Sequence, residues 1–122
     1  MMKKFSKVVR LPEFERDMKK LSKRFRTLED DLDVFIDTAL YLYHKLEMDY
    51  AGIVQISRLG IETPIYKAVK FACRSLKGKG ARSGIRIIYT YDKIADAIEF
   101  IEIYYKADKE NENRERILEY YT

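Results

Sequence analysis

The stretch Thr63–Tyr91, TPIYKAVKFACRSLKGKGARSGIRIIYTY, decides the fold. It carries Lys67, Lys70, Arg74, Lys77, Lys79, Arg82 and Arg86 but no Asp or Glu; the nearest acids, Glu62 and Asp92, stand just outside it. Cations alternate with Tyr66, Val69, Phe71, Ile85, Ile87, Tyr89 and Tyr91. A period of two marks strands with unlike faces. Between them Lys77-Gly78-Lys79-Gly80 is a turn loosened by its glycines. The stretch therefore predicts two antiparallel strands joined by a lysine-bearing loop, with cations converging at one end. Such a surface attracts phosphate. A solvated basic sheet face would show the same alternation, but the missing acids and the glycines between the lysines favour a binding surface.

Working outward, the 122 residues suit one domain spanning 1–122 with a single core of moderate size. A hydrophobic fraction of 47% and a charged fraction of 36% fit a folded soluble chain rather than a disordered one. The net charge is only +4, but acids crowd into Glu29–Asp37 and the C-terminal third, leaving the bases elsewhere. That asymmetry suits nucleic acid better than a membrane, since no basic helix is paired with a large exposed apolar face. Cys73, the single cysteine, has no disulfide or CxxC partner, which favours a reducing, cytoplasmic setting and excludes a cysteine zinc site. Its place in the alternation makes it a core residue. The charged Met1–Phe5 run leads into no apolar segment, so no signal peptide is expected, and no run reaches the length of a membrane span.

Phe5–Arg10 reads as a first strand. Pro12 then opens a helix whose apolar stripe is Phe14, Met18, Leu21 and Phe25 and whose other face carries Arg16, Lys19, Lys20, Lys23 and Arg24. Thr27-x-x-Asp30 is a capping box opening a second helix, with a stripe from Leu28 to Leu46. His44, the only histidine, is placed by sequence in the last turn, where a positive charge complements the helix dipole. Residues 47–62 read as a packed loop with room for a short strand. Ala97–Lys106 is the most strand-like segment, with Ile98, Phe100, Glu102 and Tyr104 on one face. Arg114–Tyr121 reads as a C-terminal helix. The expected fold is α+β, a small antiparallel sheet with two N-terminal helices on one face and a short C-terminal helix.

This order, with its basic first helix, the loop Leu76–Gly80 and the run Arg82-Ser83-Gly84-Ile85-Arg86-Ile87-Ile88-Tyr89, resembles the RelE/ParE toxin family, and its RelE-like and YafQ-like ribonuclease branch most. The resemblance covers nearly the whole chain and is strongest over Tyr66–Lys106. It implies the toxin of a two-gene toxin–antitoxin system, acting on ribosome-bound messenger RNA without metal or other cofactor. A cognate antitoxin in a hetero-oligomer, the ribosome and messenger RNA are the implied partners; no membrane is. The implied chemistry is attack of a 2′-hydroxyl on the neighbouring phosphate, which needs alignment, a base, and cations for the developing charge. Arg86 matches the family's phosphate-clamping arginine. Lys77 and Lys79 match its basic loop residues, and Lys106, then Lys109, the cation after the last strand. Lys70, Arg74 and Arg82 would add substrate contacts and Tyr89 a stacking surface. Members often carry a catalytic histidine or tyrosine near the start of the last helix; here Asp108–Asn113 reads DKENEN. A gyrase-inhibiting toxin and a plain RNA-binding module remain alternatives.

Overall fold

The computed structural model describes residues 4–122; residues 1–3, part of the N-terminal run read for a signal peptide, lie outside the described residues. The elements are β1 (Lys7–Arg10), α1 (Pro12–Arg24), α2 (Leu28–Phe35) continued by a π-helical segment (Ile36–Lys45), β2 (Ile53–Ile56), β3 (Ile65–Ala68), β4 (Ile85–Asp92), β5 (Ala97–Tyr105) and α3 (Arg114–Tyr121). The five strands form one sheet in the order β1-β5-β4-β3-β2. The fold is α+β.

The sheet is mixed, which corrects the antiparallel expectation. β2, β3, β4 and β5 pair antiparallel, but β1 lies parallel to β5, from Lys7 beside Ala97 to Arg10 beside Phe100. Alternation of side chains encodes which face a strand buries, not the direction of its neighbour. The helices intervening between β1 and the sheet's other strands leave β1 free to join an edge in either sense.

Two cores sandwich the sheet. Phe14, Met18 and Leu21 of α1 and Leu28, Leu32 and Phe35 of α2 pack against Ile85, Ile87, Tyr89, Ile98 and Phe100. Phe14 stacks on Phe100 with ring centroids 5.1 Å apart. On the opposite face Ile117 of α3 closes a smaller cluster with Ile65, Ile88, Ile101 and Tyr104. A bulge explains how β5 serves both cores. Ile88 pairs with Glu102 but Tyr89 with Phe100, so Ile101 is extra. The strict alternation expected for β5 therefore breaks: Phe100 and Ile103 bury on the α1 face, whereas Tyr104 buries on the α3 face.

The capping box at Thr27 also fails to form; its side chain makes no cap hydrogen bond. Instead the Thr27 hydroxyl donates to Asp31 Oδ2 at 2.7 Å and lies 2.8 Å from Ser75 Oγ. Asp31 is buried and accepts from the Arg74 backbone N–H and from Arg74 Nε, at 3.0 and 2.8 Å. This carboxylate ties the start of α2 to the basic stretch. Asp31→Ala is expected to destabilise the fold by about 1–3 kcal/mol, because it leaves the part-buried donors of Thr27 and Arg74 without their acceptor. Asp33→Ala, on the exposed side of the same helix, should change stability by less than about 0.5 kcal/mol. Urea unfolding of both variants checks this.

Candidate nucleic-acid interface

The chain between β3 and β4 folds back on itself, and its apolar residues fix it. Phe71 and Cys73 are plugs, 0% and 3% exposed, and Phe71 meets Phe35 edge-on at 5.3 Å. Phe71 bridges Arg82, its N–H donates to the Ala81 carbonyl at 3.2 Å, and the buried Ser83 hydroxyl donates to the Phe71 carbonyl at 2.5 Å. Gly78 turns the tip with φ of +78°, a conformation that suits glycine. Anchored this way, the loop leaves Lys70, Lys77, Lys79 and Arg82 exposed. Lys106, also exposed, joins them at the same end of the sheet, because its N–H donates to the Gly84 carbonyl at 2.8 Å. Among the described residues none of these five cations forms an ion pair within 4 Å. Burial pushes the Cys73 thiol up, so it is not a reactive thiolate at neutral pH.

The other expected site residues fall differently. Arg86 faces away from the α1 core, as its alternation requires, and one η nitrogen donates to the Val69 carbonyl at 3.0 Å. Its cross-strand neighbour is Tyr104. Arg74, expected to touch substrate, is committed to Asp31, with Asp30 3.7 Å away. Tyr89, expected to stack on a base, is fully buried, so its ring cannot meet one. Its position on β4 faces the larger core, and alternation alone did not distinguish a buried from an open face. The basic stretch is also less uncompensated than its sequence suggested. Glu112 folds over to Lys67 Nζ at 2.9 Å.

Sequence reasoning missed the polar cluster around Lys67. Its Nζ lies 5.9 Å from the Tyr104 ring centre, and Lys109 Nζ lies 5.3 Å from the same centre. Lys109 in turn pairs with Glu102, which is 2% exposed and also accepts from the Asn113 N–H at 2.7 Å. Among the described residues the buried Tyr104 hydroxyl has no hydrogen-bond partner. Burial raises its pKa, so it holds its proton at neutral pH. The signal lay in the spacing of Lys67, Arg86 and Tyr104 on three adjacent strands, but the strand pairing had to be known first.

His44 is not the charged helix-end residue that its position suggested. Its Nε2 is hydrogen-bonded to the Tyr89 hydroxyl at 2.8 Å, and its ring meets Tyr66 and Tyr91 at 4.8 and 4.7 Å. Burial lowers its pKa to about 4, which keeps it neutral. Tyr89 and Tyr91 lie toward the end of β4, whereas the basic loop leads into its start. Four residues of strand separate Tyr89 from Ile85, about 13 Å. His44 is thus too remote to act as a base at the lysine loop.

No family model matches the chain, and neither a curated protein nor a solved structure matches it.

A histidine neutral in the fold and ionisable when unfolded makes stability depend on pH. Between its ordinary pKa near 6.5 and about 4, the unfolded chain binds more protons. Stability should therefore fall as pH drops through that window and level off below it. Discounted for partial exposure of the ring, the loss is about 1–2 kcal/mol. Urea unfolding at several pH values should show this component in the parent and not in His44→Gln.

Proposed function

We propose that the chain is an RNA-directed toxin of the RelE/ParE type, a metal-independent endoribonuclease that works on ribosome-bound messenger RNA and is neutralised by an antitoxin. The observation that supports it most is the set of exposed cations Lys70, Lys77, Lys79, Arg82 and Lys106, unpaired among the described residues, at one end of the sheet beside Arg86. A loop anchored at its base and holding lysines in the open suits the RNA backbone, whose phosphates demand charge rather than shape. Arg86 is pre-oriented by its bond to Val69, and the rest of its planar guanidinium is suited to holding phosphate oxygens. In this reading Lys77 and Lys79 position the backbone, Arg86 stabilises the charge that develops as the 2′-oxygen attacks, and Lys106 supports the leaving oxygen. An antitoxin would cover the same cations with an acidic amphipathic segment.

A second reading, an RNA-binding module without cleavage, is favoured by one specific observation. The only histidine, His44, lies at the other end of β4, and the tyrosine beside Arg86, Tyr104, keeps its proton. A ribosome-supplied group would then have to take the 2′-hydroxyl proton.

Cleavage of a reporter messenger RNA on purified ribosomes separates the two. The ribonuclease reading expects cleavage by the parent and a loss of roughly two to three orders of magnitude in Arg86→Ala, like removal of an oxyanion donor. Circular dichroism should show the variant folded. Lys77→Ala and Lys79→Ala should each weaken RNA binding and reduce its salt dependence by about one phosphate contact. Binding without cleavage would establish the module instead. A folded Arg86→Ala protein that cleaves at the parent rate would remove Arg86 from the site.

A further inference from the structure

At the end of the sheet away from the basic loop lies a cavity of about 950 Å³. Its walls include Tyr43, His44, Tyr66 and Tyr91, with Met48 and Pro64 as apolar neighbours. The charged groups around it are Glu47, Asp49, Asp92 and Glu99 against Lys7 and Lys93. In a chain whose net charge is +4, this end is locally acidic. The polarity therefore reverses along the sheet.

The walls come from unusual backbone. Tyr43 and His44 sit in the π-helical segment, whose wider turns are frequent at functional sites. Glu47, just past that segment, lies in the left-handed region with φ of +53°, a conformation costly for a residue other than glycine. Tyr66 stacks on Tyr89 at 5.5 Å and meets Tyr43 edge-on at 6.3 Å. His44, held neutral by burial, adds no positive charge to the wall. Among the described residues Asp49 is exposed and has no ion-pair partner, and Glu47 has only the exposed Lys93 at 3.3 Å.

We propose that this cavity binds a small organic ammonium ion, through the aromatic walls of Tyr43, Tyr66 and Tyr91 and the rim carboxylates of Glu47 and Asp49. Aromatic rings present electron-rich faces that attract a cation most strongly when it is desolvated. The volume fits a small ligand, and the acidic rim excludes the phosphate that the opposite end attracts. This site does not depend on the ribonuclease reading; either stands if the other fails.

The test is an amide-detected NMR titration with choline, run against 3,3-dimethylbutan-1-ol, which has the same shape without the charge. Choline should shift the amides of residues 43–49, 66 and 91–93 along saturable curves. The neutral alcohol should bind about tenfold more weakly, as loss of a partly desolvated cation–π contact implies. Tyr66→Leu should weaken choline binding about fivefold by removing one face. Asp49→Lys, at an exposed position, should also weaken it while leaving the spectrum otherwise native, which keeps the test valid if Tyr66→Leu unfolds. Equal binding of the two compounds, shifts confined to the loop of residues 77–82, indifference to Asp49→Lys, or no saturable shift would each overturn the proposal.

Discussion

Burial of β4 on both faces is the constraint on which the rest of the molecule depends. Ile85, Ile87 and Tyr89 face α1 and α2, and Ile88 faces α3. A strand in that position must have partners for its backbone on both sides, and β3 and β5 supply them. The bulge at Ile101 lets β5 supply apolar side chains to both cores. Without it, one of the two cores would receive a charged or polar residue where it needs an apolar one. Large-to-small changes on β4 would therefore open cavities that neighbours on either side cannot collapse to fill.

The same strand separates two chemistries. At its start, the β3–β4 loop buries Phe71 and Cys73 and so must leave its cations outside. At its end, Tyr89 and Tyr91 gather with His44 and Tyr66 beneath an acidic rim. Between them, the α3 face neutralises what would otherwise be a continuous basic stripe. Lys67 is matched by Glu112, Lys109 by Glu102 and Arg116 by Asp17 at 2.8 Å. What remains uncompensated is local, which gives a proposed phosphate site defined edges rather than a diffuse field.

Much of this was legible in the chain. Pro12 marked the start of α1, the apolar stripe of α2 continued into the π-helical segment as far as the buried Leu40 and the part-buried Tyr43 but left Leu46 exposed, and Arg114–Tyr121 formed the helix its pattern described. The α+β class followed from that order. Other features depend on contacts remote in sequence and were not legible. No local signal told that β1 would join β5 in parallel, or that Thr27 would turn from its helix to Asp31 and Ser75. The bulge at Ile101 shifted half of β5 to the opposite face, and a two-residue period cannot report its own interruption. For the candidate site, the glycines between Lys77 and Lys79 marked an exposed loop, and alternation put Arg86 on the face away from the α1 core. The burial of Tyr89 and the pairing of Arg74 with Asp31 were not legible, because both are decided by the tertiary fold.

The central claim is that phosphate recognition is confined to the loop end of the sheet. The most direct measurement is a map of backbone amide shifts on titration with a short single-stranded RNA at low and moderate salt. The account predicts saturable shifts at Lys70, Lys77–Arg82, Arg86 and Lys106, weakening steeply as salt rises, with the amides around His44 and Asp49 unmoved. Shifts centred on the aromatic end of the sheet, or salt-independent binding spread over the basic face of α1, would contradict it.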